Sequence, residues 1–210
     1  MAQHDIILYI EYIGIASAAL SGFLFAVKKD CDWLGIFVSS FLTALGGGIV
    51  RDVAVGRELY SFTHYMPVMI VIFVLIFSHI FALQTKKLQG RFIFIFSDAI
   101  DVICFSIVGA MVAIEYHLNV FGAILIAFFN GVGGGILRDV LLNEVPWFLR
   151  TGLYGTISMA VGLVYFILDS LSFANIYTIL VLFLAGITVR MFAYYRGWHL
   201  PKVEYNKGNI

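Results

Sequence analysis

Charge is what this sequence has least of. Only 12% of its 210 residues are Asp, Glu, Lys or Arg, against roughly 25% in a water-soluble domain. A soluble fold needs that polar coat, and a chain that is 61% hydrophobic has too little left to build one. The mean hydropathy of +0.97 agrees. Lipid removes the need for the coat, so the chain reads as a membrane protein. Acidic and basic residues balance at 13 each, and no strongly basic tract occurs, which excludes nucleic acid as a partner. Cysteine is scarce too. Cys31 and Cys104 make neither a disulfide framework nor a metal-ligand spacing and read as apolar packing residues. The opening Met1-Ala2-Gln3-His4-Asp5 lacks the basic region of a cleaved leader, so the first apolar run reads as a membrane helix. A phosphate-binding loop, a nucleophile with its base and a metal cluster are missing, which argues against an enzyme and against a cofactor. The alternating strands of a membrane barrel are missing as well.

What is present is a succession of long apolar runs. A spanning helix takes roughly 20 such residues, and lipid tolerates no unpaired backbone, so helices are the expected element. Seven runs qualify: Ile6–Val27, Trp33–Val53, Tyr65–Leu83, Phe92–Ile114, Asn119–Leu141, Leu149–Leu168 and Asn175–Tyr195. The expected fold is an all-α membrane protein with seven transmembrane helices. Lys28, Lys29, Lys86, Lys87, Arg91, Arg150, Arg196, Lys202 and Lys207 fall on one side, and Arg57 on the other. Positive residues stay inside. That places the N-terminus outside and the C-terminal tail in the cytoplasm. Arg51, Arg138 and Arg190, in or near helix ends, do not count towards that balance.

Sliding the chain against itself by 87 residues aligns Gly46-Gly47-Gly48-Ile49-Val50-Arg51-Asp52-Val53 with Gly133-Gly134-Gly135-Ile136-Leu137-Arg138-Asp139-Val140. Gly22 then meets Gly109, Gly35 meets Gly122, Phe41 meets Phe128, and Glu11 meets Asp98. Each half holds an odd number of spans, so the second half must be inserted the opposite way. The organisation expected is a three-helix unit over residues 6–85, its inverted copy over 92–168, a seventh helix over 175–195 without a counterpart, and a tail over 196–210.

Three successive glycines in an apolar helix cost about 1 kcal/mol each relative to alanine. In lipid they also threaten the backbone pairing that a helix supplies. Glycine-interrupted segments at matching places in two inverted halves point to a solute path. From Leu34 to Gly46 the second run rises about 18 Å, past the midplane of a core about 30 Å thick. The expectation is two helices broken near mid-depth at Gly46, Gly47, Gly48 and at Gly133, Gly134, Gly135. The alternative is that the glycines only let helices pack closely. Arg51, Asp52, Arg138 and Asp139 follow at once, and ionisable residues at such depth carry function by default. Sequence neighbours on a helix point apart, so each arginine is expected to pair with a carboxylate elsewhere, from among Asp139, Asp52, Glu11 and Asp98. Either these pairs clamp the helices, or they also line or gate a watery path. Glu11 and Asp98, with Asp101 on the face of Asp98, are expected to attract cations at two mouths or to be interfacial helix charges.

The doubled Gly-Gly-Gly-x-x-Arg-Asp motif in a seven-helix chain resembles the prokaryotic branch of the TRIC family, the trimeric intracellular cation channels. The same bacterial sequences are also grouped as a glycine-transporter repeat family. The resemblance runs from about Glu11 to Tyr165 and includes Asn143-Glu144-Val145-Pro146, Phe148-Leu149-Arg150 and Leu153-Tyr154. It implies a homotrimer in the bacterial inner membrane, with one pore per protomer shaped by the glycine motifs and passing potassium and sodium. The basic lipid-binding segment of the animal relatives has no counterpart here. The leading reading is a monovalent-cation channel that breaks no bond. The alternatives are a carrier of glycine or another small amino acid, and a structural protein with a closed interior.

Overall fold

The computed structural model describes residues 3–83, 91–149 and 153–201, with the side chains of 3–6, Arg91 and Trp147 left aside. Lys86, Lys87, Arg150, Lys202 and Lys207, which weigh in the charge balance above, lie outside the described residues, as does the tail beyond residue 201. Among the described residues all regular structure is helical. The order is α1 (Gln3–Lys28), α2 (Trp33–Val55), α3 (Tyr60–Thr63), α4 (Tyr65–Ile80), α5 (Arg91–Glu115), α6 (Val120–Leu141), a 3-10 turn (Trp147–Leu149), α7 (Tyr154–Ser170) and α8 (Ile176–Tyr195). Five of these, α1, α2, α5, α6 and α8, are long and apolar enough to cross a membrane. The protein is an all-helical, multi-pass membrane protein.

Two of the seven runs come out shorter than expected. The third ends at Ile80, where the chain turns through Ala82 at φ 51°. The sixth does not begin at Leu149: that residue closes the 3-10 turn, and the helix starts at Tyr154. Helices of 16 and 17 residues rise only about 24–26 Å, short of a 30 Å core.

Helix ends are set by polar caps. The Asp32 side chain accepts from the Gly35 amide at 2.8 Å, and Asn119 accepts from the Gly122 amide at 3.0 Å. Asn175 and Thr178 form a reciprocal capping box at the start of α8. Left-handed turn residues also recur at the 87-residue spacing: Asp30 with His117, both at φ 55°, and Gly56 with Asn143, at φ 73° and 55°.

α5 runs through the middle of the bundle and packs on α1, α6, α7 and α8. Its small and branched residues, such as Ala99, Val102, Ile107, Ala110 and Val112, are buried on all sides. α8 packs on α5 and α7 and is largely exposed. In lipid there is little hydrophobic force between helices, and close contact of small residues takes its place. A Cβ on Gly22 would stand 2.7 Å from the Ser40 Cα, and one on Gly109 would stand 2.8 Å from the Ala127 Cα. The closest approach is between α2 and α6. A Cβ on Gly47 would lie 2.2 Å from the Asn130 carbonyl oxygen, and one on Gly134 would lie 2.3 Å from that of Thr43. Thr43 and Gly47 stand to Asn130 and Gly134 at the repeat spacing, so one half's contact is the other's with the roles exchanged.

Candidate functional site

α2 is helical at every residue from Trp33 to Val55, and α6 at every residue from Val120 to Leu141. The expected rupture at the triple glycines is therefore corrected: the hydrogen-bonded helix passes through them. The physical reason is the crossing just described, where glycine is needed for backbone-to-backbone contact and the packing offsets its poor propensity. Gly46, Gly47, Gly133 and Gly134 are buried in this crossing. Gly48 and Gly135 do something else. Among the described residues a Cβ on Gly48 would meet only the Arg51 guanidinium, at 3.6 Å from Nη2, and one on Gly135 only that of Arg138, at 3.8 Å. The third glycine of each triplet clears a space into which the arginine one turn later folds back.

Both guanidiniums are buried, Arg51 at 1% exposure and Arg138 at 2%. A charge in such a place needs partners, and the two find different ones. Arg51 donates from Nη1 to Glu11 Oε1 at 2.9 Å and from Nε to Asp52 Oδ1 at 2.7 Å. Asp52 is also bound by Arg57 Nε at 2.8 Å and accepts from the Tyr60 amide at 3.0 Å. The distant partner was among those expected. The bond to the neighbouring Asp52 was not, and the reason is the fold-back over Gly48, which brings Nε round to the next carboxylate.

Arg138 also bonds its neighbour, from Nε at 2.9 Å and Nη2 at 2.8 Å to Asp139 Oδ1. Its remaining nitrogen, Nη1, has no hydrogen-bond partner among the described residues, and its Cζ lies 4.0 Å from the centre of the Phe25 ring. Asp98, which stands where Glu11 stands in the first half, is not its partner. Instead Asp98 accepts from the Tyr154 hydroxyl at 3.1 Å and pairs with Arg190 of α8 at 3.5 Å, while Arg190 lies over the Tyr154 ring at 4.5 Å. Asp101 accepts from Ser21 Oγ of α1 at 3.1 Å. Glu11, Asp98 and Asp101 are all buried, at 5%, 2% and 4% exposure. The interfacial placement is corrected: the three belong to ion-pair and hydrogen-bond networks inside the bundle.

Three contributors escaped the sequence reading. Arg190 was set aside as a helix-end charge, yet it lies well inside α8 and is 1% exposed. The signal was there, a lone cation in an apolar span. Asn130, whose Nδ2 donates to the Phe105 carbonyl at 2.7 Å, and Tyr154 carried no pattern that singled them out. A cavity of about 10 Å³, room for one water, is bounded by Gly135, Arg138, Asp139, Phe148 and Tyr154 among others.

A family profile described as "Glycine transporter" matches residues 8–84 and again 95–170, one copy for each half. The chain belongs to the glycine-transporter family. A relative in Bacillus subtilis, the membrane protein YvgT, is 28% identical over 95% of this chain and 98% of its own. The Escherichia coli inner membrane protein YadS is 29% identical over 76% of this chain and 77% of its own. Among solved structures, one described under conductance through TRIC cation channels matches with a TM-score of 0.83 at 33% identity, covering 95% of this chain and 98% of that one. A prokaryotic TRIC channel in 0.5 M KCl matches with a TM-score of 0.85 at 27% identity, covering 94% and 100%. This member of the glycine-transporter family thus shares its whole fold with TRIC channels.

Proposed function

We propose that this protein is a cation channel of the cell's inner membrane, passing potassium and sodium through each protomer of a homotrimer. The observation that carries the reading is the likeness, over nearly the full chain, to structures described as TRIC cation channels. The contact pattern supports an inverted repeat. Rising residue numbers on α2 meet falling numbers on α6, Thr43 with Gly134 and Gly47 with Asn130, as in antiparallel helices related by a two-fold axis. The seven apolar runs then cross as three plus three plus one, with α4 and α7 as the short members, the N-terminus outside and the C-terminus cytoplasmic.

The path runs beside the α2–α6 crossing. Gly46, Gly47, Gly133 and Gly134 hold the two backbones together there, and Gly48 and Gly135 leave the open faces. Arg51 and Arg138 fill those faces, held by Asp52, Asp139 and Glu11, with Asp98 behind. With both guanidiniums buried, this conformation is the closed one, and opening turns them out of the faces of Gly48 and Gly135. No bond is made or broken. Membrane lipid surrounds the remaining surface.

Purified protein in planar bilayers under potassium and sodium salts, beside radiolabelled glycine uptake into proteoliposomes, tests the reading. Unitary cation currents without glycine uptake support it. Saturable glycine uptake without currents makes the protein a carrier and ends it.

A further inference from the structure

The two halves repeat closely, yet their buried charges do not balance in the same way. Arg51 binds the distant carboxylate of its own half, Glu11, at 2.9 Å. Arg138 stands at the matching place and does not bind the matching carboxylate, Asp98. Asp98 is one methylene shorter, one of its oxygens takes the Tyr154 hydroxyl, and the other faces Arg190 at 3.5 Å. Arg190 comes from α8, the helix with no counterpart in the repeat. The second half also carries Asp101 where the first half has Gly14. Asp101 and Arg190 are thus opposite charges without a counterpart in the first half, and Arg190 sits on Asp98, the carboxylate that has one. Among the described residues Arg138 is left with one carboxylate, Asp139, one nitrogen without a hydrogen-bond partner, and a water-sized cavity beside it. Tyr154 touches both sides, bonding Asp98, lying under Arg190 and lining that cavity.

We propose that Arg190 is a positioning residue that withholds Asp98 from Arg138, so that on the α6 side of the path Arg138 keeps one carboxylate, Asp139, where Arg51 has two. While α8 is docked, Arg190 occupies Asp98, and Arg138 Nη1 has no hydrogen-bond partner among the described residues. When Arg190 withdraws, Arg138 turns to Asp98 and the second half takes the pairing already seen in the first. The extra helix therefore sets the asymmetry of an otherwise two-fold path. This rests on the cation-channel reading for its effect on current, but the competition for Asp98 does not.

The test has two arms. Thermal melting of the detergent-purified protein follows a double-mutant cycle of Arg138→Gln and Asp98→Asn, run once in the wild-type and once in the Arg190→Gln background. Competition predicts little coupling in the wild type and a clear one without Arg190, worth roughly 2–4 °C in the melting midpoint. Equal coupling in both backgrounds overturns the proposal whether or not the protein conducts. In bilayers, Arg190→Gln should raise unitary cation conductance roughly twofold or more, the effect of removing a unit charge about 10 Å from the ion in watery surroundings. It should also lessen rectification, and the added Asp98→Asn change should cancel both effects. A purely structural role for Arg190 moves the midpoint without moving rectification, and that result too overturns the proposal. If Arg190→Gln does not assemble, Arg190→Lys serves instead, because a compact point charge holds Asp98 less well. Lysine is expected to shift rectification part-way, and wild-type rectification with lysine counts against the proposal.

Discussion

Arg51 and Arg138 occupy equivalent positions, and the glycine three residues before each one gives its guanidinium room to fold back. That makes the glycines of one triplet unequal. Gly47→Ala and Gly134→Ala push a methyl group to 2.2 and 2.3 Å from a carbonyl oxygen on the facing helix. Each should cost about 1–3 kcal/mol or more through overpacking, read as a lower melting midpoint or loss of assembled protein. Gly48→Ala and Gly135→Ala meet only an arginine tip at 3.6 and 3.8 Å. They should leave the midpoint within about 2 °C of the wild type, since a shift of that size reflects under 1 kcal/mol at this chain length. Glu11→Gln strips the distant partner from Arg51, whose side chain is 1% exposed. Breaking a buried pair of this kind costs about 3–5 kcal/mol. A smaller loss is expected from Asp98→Asn, because Asp101 keeps a carboxylate near Arg138; melting of the two variants side by side decides the order. Glu11 was legible as a partner for Arg51 because a buried arginine demands a carboxylate and few exist. The bond between neighbours was not legible, because ideal side-chain directions on a helix take no account of a space cleared by glycine.

At the scale of the element, helix propensity and packing disagree, and packing prevails. Three glycines in a row read as a break when the helix is considered alone. Opposite a second helix that approaches within backbone contact, the first two of each triplet are the residues that let α2 and α6 cross. The apolar runs themselves were readable from composition, but their lengths less so. α4 is short because the turn at Ala82 claims residues that hydropathy assigns to the span, and Leu149, assigned to the sixth span, closes a 3-10 turn instead. The caps are a cleaner match of sequence and structure. Asp32→Ala and Asn119→Ala each remove an acceptor for a helix-start amide and should each cost about 1 kcal/mol. Similar losses for the two, measured by unfolding of the detergent-solubilised protein, are what equivalent ends of a repeat require.

For the whole molecule, the 87-residue repeat was the most informative feature of the sequence. It pointed to α2 and α6 as the helices that meet, and the left-handed turns recur at the same spacing. The docking of α8 was not anticipated, because a helix outside the repeat has no partner to be compared with. Its Arg190 joins the second charge cluster through the fold alone. The central claim is that this fold conducts cations along a path controlled by the two arginine clusters. The most direct measurement is the reversal potential of purified protein in a planar bilayer under a KCl gradient, for wild type and for Arg51→Gln and Arg138→Gln. The account predicts a reversal potential on the potassium side of zero, and altered open probability in both variants while the oligomer stays intact. A reversal potential at zero, or variants with wild-type gating, would contradict it.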